Sequence, residues 1–167
     1  DYNMLSFSAH KFGGPQGVGA LVLRKKSVKL PPVKAIQFGG QQEHGIRPGT
    51  VPVALIAGCG LACEIAANEY KKNDELAKAI KSEVLKIMND SGMKYRINGS
   101  QYHCVNTTLN VCLDGVSSEA LMISSKQYGG VSTGYACTSK SYSPSYVLVA
   151  MGIPEEQIES SIRISWG

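Results

Sequence analysis

A lysine beside a glycine-rich run is the first feature of this sequence that could do chemistry. Lys11 ends a short apolar strand pattern, Ser8 and His10 precede it, and glycines follow at positions 13, 14, 17 and 19. A lysine held still by a strand and partly removed from water can form a Schiff base with an aldehyde such as pyridoxal phosphate. Taken alone, the pattern is more typical of an ordinary strand–turn–strand with solvated polar residues.

A cysteine in a polar segment is the second candidate. Cys137 lies in a loop pattern of small and polar residues, and a thiol there can ionise and act as a nucleophile. A small residue in a turn is an equally good interpretation. Cys104 lies in a polar turn beside His103. The remaining cysteines lie among apolar residues and are typical of inert core positions: Cys59, Cys63 and Cys112.

An arginine in an apolar strand pattern is the third candidate. Arg163 stands between Ile162 and Ile164, where an arginine either points to solvent or meets an anion. Its planar guanidinium suits a carboxylate, which it binds through two parallel hydrogen bonds. The pattern leaves both interpretations open.

The hydrophobic patterns predict the elements that hold these residues. Residues 4–8 and 17–23 predict a hairpin around the lysine, and residues 38–50 predict a long polar loop. Thr50 is expected to cap one long helix that ends at Ser91 and Gly92. Its first half is apolar on nearly every side and is expected to be buried. Its second half is amphipathic, with an inward face at these positions: Leu76, Ala79, Ile80, Val84, Leu85, Ile87 and Met88. After it, the alternation of strands and helices predicts a small α/β unit.

Composition narrows the class of protein. The chain has 167 residues, 43% of them apolar, which suits a domain with a real core. The net charge of +4 is mild and its basic clusters carry no interleaved aromatics, which argues against a nucleic-acid groove. No apolar run is expected to span a membrane, and five cysteines form no disulfide framework. We therefore expect a cytoplasmic protein with reduced thiols. Both ends fall in strand patterns, so we also expect a piece of a longer protein.

Four motifs in matching order resemble the cysteine desulfurases of the class V aminotransferase family. They carry the lysine, a glycine-rich loop that ends in Arg-x-Gly-Thr, the cysteine and the arginine. The resemblance covers nearly the whole chain. Its loop with Ala-Cys-Thr-Ser is similar to the housekeeping or nitrogen-fixation type. The motif segments are residues 8–15, 39–50, 132–139 and 160–165.

The resemblance implies a role for each candidate. Lys11 would hold pyridoxal 5'-phosphate and then act as general acid and base. Ser8 and His10 would bind the cofactor phosphate, and His10 is also counted among the catalytic residues. Thr50 would reach the phosphate of the partner subunit in a homodimer. Arg163 would bind the carboxylate of L-cysteine. The remaining role is the attack on the substrate sulfur, which the resemblance gives to the cysteine motif: Cys137.

The implied reaction removes sulfur from L-cysteine, which leaves L-alanine and a persulfide on Cys137 for a sulfur-acceptor protein. Members of the family that this chain resembles supply sulfur for iron–sulfur cluster assembly, for transfer-RNA thiolation and for DNA sulfur modification, so the acceptor stays open. Two departures from the family pattern are Tyr135 in the cysteine loop and His44 in the glycine-rich loop. The family residues that stack on the cofactor ring and pair with its nitrogen precede the lysine segment. We therefore expect this chain alone to bind the cofactor poorly and to show no turnover.

Two other readings stay open. One is another class V enzyme, a selenocysteine lyase or an aminotransferase, although an aminotransferase needs no thiol. The other is a non-catalytic fragment on which sulfur acceptors dock. The fold class expected is α/β. Residues 1–91 would be the later part of a large cofactor-binding domain of the fold type I PLP-transferases with a linking helix, and residues 92–167 a small C-terminal domain.

Overall fold

The chain folds into two compact units in a computed structural model that describes residues 2–26, 29, 31–133, 135–138 and 141–167. The first unit comprises Asp1–Tyr70 and the second Lys71–Gly167. The division by contacts falls inside the long helix rather than after it. The predicted assignment of residues 1–91 and 92–167 to two functional domains stays a prediction.

A hairpin opens the first unit, as the alternating pattern predicts. Strand β1, Met4–Ser8, pairs antiparallel with strand β2, Gly19–Leu23, and Ser8 lies opposite Gly19. A 3-10 turn, Ala9–Phe12, follows β1 directly. Gly19 must lack a side chain, since a Cβ there would collide with the carbonyl oxygen of Phe7. The lysine thus lies in the connection between two paired strands.

The first long helix, α1, spans Val53–Asp90, which confirms one long helix between the two predicted strand regions. Its first turn begins later than expected, because the carbonyl of Pro52 accepts the N–H of Ile56 at 3.0 Å. Thr50 therefore precedes the helix instead of capping it. The reason is local: Pro52 has no N–H to be satisfied and is well suited to a helix start.

The expected burial of the first half of α1 is wrong for the described residues. Leu61 and Ile65 are 58% and 47% exposed, whereas Cys59 and Ala62 are buried. The regular strands described in this unit are the two of one hairpin, and two strands cannot cover every side of a helix. An apolar helix is buried only where other elements pack against it, and this unit packs against one side of α1.

The inward face of the second half of α1 differs from the predicted one. Leu76 and Ile87 are each 59% exposed. Positions three and four residues apart share a helix face, and only one face meets the sheet. The residues on that face, buried or partly buried, are Ala77, Ile80, Lys81, Val84, Leu85 and Met88, and four of them were predicted to face inward: Ile80, Val84, Leu85 and Met88. The apolar spacing alone was compatible with a wider face than the sheet covers.

An 18-residue window of α1 is long and apolar enough to cross a membrane, with a mean hydropathy of 1.2. This corrects the expectation that no run reaches that length. One such helix is weak evidence of a membrane span, because apolar helices that pack against other protein segments pass the same test.

A four-stranded antiparallel sheet in the order β3-β4-β8-β5 forms the centre of the second unit. The buried core consists of alternate residues of the two central strands: Leu109, Val111, Leu113 and Ile162. The inward face of α1 packs against them. The strands are β3, Tyr95–Ile97; β4, Thr108–Leu113; β5, Ser132–Thr133; and β8, Ser161–Ser165. The mixture of helices and sheet agrees with the predicted α/β class.

Polar side chains lock the same sheet. Asn98 Nδ2 donates to Asn110 Oδ1 at 2.7 Å and to Ser161 Oγ at 2.9 Å. The Ser161 hydroxyl, which is fully buried, donates in turn to the carbonyl of Gln157 at 2.6 Å. A buried hydroxyl without a partner would cost free energy, so this chain of bonds fixes how the strands and the preceding helix meet.

Short elements complete the second unit. Ser117 caps the helix that follows it by accepting the N–H of Ala120. A hairpin carries the cysteine motif, whose segment was predicted to be a loop. Its backbone N–H and C=O groups pair across strands instead of facing water, which is why it is regular. The elements are α2, Ser118–Ser124; β6, Tyr135–Thr138; β7, Ser141–Pro144; α3, Tyr146–Ala150; and α4, Glu155–Glu159.

Candidate active site

The lysine lies on a tight turn whose polar side chains all face solvent. Ser8 ends β1, and His10 and Lys11 lie within the 3-10 turn, each with an exposed side chain. Ala9, between them, is fully buried. In the described part of the chain, no hydrogen bond or ion pair occupies the Lys11 ammonium. The turn therefore presents an amine, an imidazole and a hydroxyl together.

Backbone contacts hold this turn in place. The N–H of Ala9 bonds to the carbonyl of Val18 at 3.0 Å, and the N–H of Gly14 bonds to the carbonyl of Ala9 at 2.9 Å. Gly13 adopts the left-handed region with a φ of 86°, and a Cβ on Gly14 would come within 2.8 Å of Ala9 Cβ. These positions need glycine because the chain reverses against its own backbone. The turn therefore fixes the backbone from which the lysine side chain extends.

Helix α1 approaches the same turn closely. A Cβ added to Gly58 would come within 3.2 Å of the Pro15 ring, and one added to Gly17 would come within 3.7 Å of Leu55. The small residue on the helix therefore allows the start of α1 to pack beside the segment that follows the lysine. The glycine-rich loop precedes this helix, so its packing also determines where Thr50 leaves the loop.

The glycine-rich loop holds an unusual turn. Glu43 and His44 both have positive φ values, 50° and 58°, which few residues other than glycine adopt. The carbonyl of Gln41 accepts the N–H of Gly45 at 3.2 Å, and Gln42 Oε1 accepts the N–H of Gly49 at 3.1 Å. Backbone strain of this kind concentrates at functional sites. His44, a departure from the family pattern, thus lies in a strained position.

Thr50 is exposed at the end of this loop. Among the described residues, no hydrogen bond joins it to the lysine turn. The structure therefore brings together three of the predicted cofactor residues, Ser8, His10 and Lys11, and leaves Thr50 on a separate loop.

Arg163 lies in β8 with an exposed side chain. Its Nη2 donates to Ser132 Oγ at 3.2 Å across the strand pair, in which Ser132 lies directly opposite Arg163. A neutral hydroxyl leaves the charge of the guanidinium unbalanced, so a carboxylate would be a stronger partner. Ser132, which the motif pattern did not single out, positions this arginine.

The cysteine motif begins at this same strand edge. Strand β5 ends at Thr133, and β6 begins two residues later. Within β6, Cys137 lies opposite Tyr142 of β7. The side chains of Cys137 and Tyr135 lie outside the described part of the structure, and so does Gly134. The fold thus places the segment of Cys137 directly after the strand that pairs with Arg163.

A polar cavity of about 330 Å³ lies elsewhere in the second unit, between β3, β4 and α4. Its cation is already paired, because Arg96 Nη2 lies 3.0 Å from Asp114 Oδ1 and donates to the Cys112 sulfur at 3.7 Å. These two contacts, the thiol first, raise the pKa of Arg96. The cavity contains none of the predicted site residues, so it is a separate feature.

A family model for class V aminotransferases matches residues 1–167, which is the full chain given. The chain belongs to the class V aminotransferase family. The match covers both units and all four motifs of the sequence resemblance, so the predicted family is confirmed.

Relatives within the family are cysteine desulfurases by name. The cysteine desulfurase IscS of Pseudomonas putida is 44% identical over 166 residues, which are 99% of this chain and 40% of that protein. A solved NifS-like protein superposes with a TM-score of 0.80 at 32% identity, over 98% of this chain and 40% of that one. DndA of Streptomyces lividans gives a TM-score of 0.75 at 38% identity, over 98% and 46%. These class V structures confirm the α/β fold, and the chain spans about 40% of the length of the curated relative.

Sequence reasoning missed one pair of residues near the sheet. Lys81 is 7% exposed in the middle of the inward face of α1, and its Nζ lies 3.2 Å from the sulfur of Cys104. Helical spacing could have predicted that Lys81 faces the sheet, because it follows Ala77 by four residues and precedes Val84 by three. A lysine at that phase of an amphipathic helix must be buried or displace the helix.

Proposed function

We propose that this chain supplies the cofactor lysine, the substrate arginine and the sulfur-accepting cysteine of a cysteine desulfurase. The reaction would take sulfur from L-cysteine and leave L-alanine with a persulfide on Cys137. One observation carries the proposal: β5 pairs with the strand of Arg163 and leads directly into the hairpin of Cys137. This adjacency supports a site in which one segment binds the substrate carboxylate and the next receives its sulfur.

The cofactor proposed is pyridoxal 5'-phosphate, and the lysine turn fits it. Lys11 offers an exposed amine on a rigid turn, and Ser8 and His10 offer hydrogen-bond donors to a phosphate. When bound, pyridoxal phosphate supplies an electron sink for the α-carbon of an amino acid. Lys11 would hold the cofactor and move a proton at the substrate carbon. Thr50 would serve the phosphate of a partner subunit in a homodimer.

The residues of the second unit would handle the substrate. Arg163 would bind the carboxylate of L-cysteine and orient its sulfur, with Ser132 holding the guanidinium. The Cys137 thiolate would then attack that sulfur, so that the carbon–sulfur bond breaks as a sulfur–sulfur bond forms. The electron pair of the broken bond stays with the carbon, which takes a proton to give alanine. The persulfide would pass to a sulfur-acceptor protein.

A cytoplasmic location is part of the proposal. The four cysteines in the described part whose side chains are placed are all unpaired: Cys59, Cys63, Cys104 and Cys112. Free thiols are typical of proteins in a reducing compartment, and a protein that carries a persulfide needs a free thiol to form it.

The test is a pair of substitutions in a protein of the relatives' full length that carries this chain. Lys11→Ala is expected to abolish the yellow absorbance band that pyridoxal phosphate gives with a lysine amine. Cys137→Ala is expected to keep that band and to lose persulfide formation and alanine release from L-cysteine. Cys63→Ala serves as the matched control, since it removes an exposed thiol from the helix.

Three outcomes distinguish the alternatives. Activity on an amino acid that is unchanged by Cys137→Ala would count against a persulfide on Cys137 and favour another class V enzyme. Absence of the band in the full-length protein would leave a non-catalytic role. Tight cofactor binding with turnover by residues 1–167 alone would contradict the expectation that this chain needs the rest of the site.

A further inference from the structure

A buried lysine and an exposed cysteine meet in the second unit, away from the proposed active-site residues. Lys81 lies on the inward face of α1 and is 7% exposed. Its Nζ donates to the Cys104 sulfur at 3.2 Å, and among the described residues this thiol is the partner recorded for the ammonium. A charged group removed from water is costly unless an opposite charge or strong acceptor pairs with it. The Cys104 sulfur is such an acceptor, while its own S–H donates to the carbonyl of Gln101 at 3.5 Å.

The loop that carries Cys104 is tied down on both sides of it. This loop, residues 98–107, connects β3 to β4. Ser100 Oγ accepts the N–H groups of Tyr102 and His103, each at 3.2 Å. Asn106 Nδ2 donates to Asp74 Oδ1 on α1 at 2.9 Å. The sulfur therefore stays near the lysine, while the cysteine as a whole remains accessible to solvent.

We propose that Lys81 and Cys104 form an oxidant-sensitive site that closes into a covalent sulfur–nitrogen crosslink. The oxidant is a peroxide, for which hydrogen peroxide is the simplest example. An accessible thiol held beside a cation is the environment in which peroxides oxidise cysteine selectively. The neighbouring amine then makes the first oxidation product reversible.

The chemistry balances in two steps. Cys104 first gives its thiol proton to solvent; its sulfur then attacks one peroxide oxygen, the oxygen–oxygen bond breaks, and the leaving hydroxide takes a proton from the Lys81 ammonium. This gives a sulfenic acid, water and a neutral amine, with the sulfur oxidised and the peroxide reduced. The amine then attacks the sulfur, a sulfur–nitrogen bond forms as the sulfur–oxygen bond breaks, and a second water leaves. A thiol reductant reverses the crosslink.

The crosslink would join the loop at residues 98–107 to α1 within one unit. It would also protect Cys104 from further oxidation to sulfinic acid, which thiols do not reverse. Lys81 thereby has two tasks, which two substitutions separate. Lys81→Arg keeps the positive charge but lacks a nucleophilic amine, and Lys81→Met keeps an unbranched side chain, one atom shorter, without the charge.

The experiment treats the full chain with hydrogen peroxide and maps its peptides by mass spectrometry. In the unsubstituted chain we expect a peptide pair joined through Lys81 and Cys104, lighter than the separate peptides by two hydrogen atoms and released by dithiothreitol. In Lys81→Arg we expect no crosslink, with a Cys104 sulfenic acid that dimedone traps. In Lys81→Met the same trapping should be several-fold slower. Should Lys81→Met fail to fold, Lys81→Arg alone carries the test.

Cys63 is the internal reference, because it is exposed and lies on the first half of α1, outside this pair. Oxidation of Cys104 no faster than that of Cys63, with no crosslinked peptide, would overturn the proposal. Equal dimedone labelling of Cys104 in the unsubstituted chain and in Lys81→Arg would overturn it too, since the Lys81 amine would then not react with the sulfenic acid. Peroxide should raise the melting temperature of the unsubstituted chain and not that of Cys104→Ser.

Discussion

The two units hold their candidate residues in place in different ways. The first unit buries few apolar side chains and fixes its lysine through backbone hydrogen bonds, glycines and a tight turn. The second unit fixes its arginine in a sheet whose centre is a packed apolar core. A tight turn can therefore be specified locally, whereas a strand position depends on the burial of its neighbours.

The apolar surface of the first unit sharpens this contrast. Leu5, Leu21 and Leu61 are 46%, 51% and 58% exposed, whereas Leu109 in the second unit is 1% exposed. The chain spans about 40% of the length of the curated relative, so a longer protein of this family has further chain to pack on these faces. The second unit already buries its core with its own residues.

Leu109→Ala should have the largest effect. It removes buried side-chain atoms from the centre of the sheet and should cost ~2–5 kcal/mol of the free energy of unfolding. Leu21→Ala is the matched control, since the same atoms are half exposed on β2, and it should cost less than about 1 kcal/mol. Urea unfolding followed by circular dichroism measures both. Equal losses would show that the first unit is as tightly packed as the second.

Ser161→Ala should have the next largest effect. The fully buried hydroxyl accepts from Asn98 and donates to the carbonyl of Gln157, so its removal takes one of two acceptors from the Asn98 amide and the side-chain donor from Gln157, and should cost ~1–3 kcal/mol. Ser82→Ala is the control, because that exposed hydroxyl bonds only within its own helix. It should change stability by less than about 0.5 kcal/mol. Urea midpoints that coincide for the two variants would contradict a network that locks the sheet.

The smallest effect concerns the two thiols of the first unit. Burial, together with the neighbouring Cys63, raises the pKa of the Cys59 thiol, so this thiol stays protonated to higher pH than usual. Because the thiolate is the reactive form, iodoacetamide should alkylate Cys59 more slowly than exposed Cys63. The difference should narrow as the pH rises through the raised pKa. Equal rates at neutral pH would indicate that the first half of α1 is open on all sides.

Local patterns predicted much of the fold. The hairpin, the single long helix and the alternation of strands and helices after it follow from apolar alternation or helical spacing, which depend on neighbouring residues alone. The family followed from four motifs in order. The roles of Ser8, His10, Lys11, Thr50, Cys137 and Arg163 remain predictions that the proposed experiments test.

Other features could not be read from local patterns. The inward face of α1 includes Lys81 and excludes Leu76, because the sheet covers only one side of the helix. The segment of Cys137 looked like a loop, yet its backbone pairs with a second strand. Hydrogen-bond partners across strands are remote in sequence, so composition does not reveal them.

Short-range spacing and motif order are enough to predict the family, most of the elements and the types of residue available for chemistry. The folded structure sets which surfaces are buried and which side chains meet. It placed Ser132 against Arg163 and the ammonium of Lys81 against the thiol of Cys104. The physical reason is that burial and pairing are set by contacts between residues far apart in the chain, 31 positions in the first pair and 23 in the second.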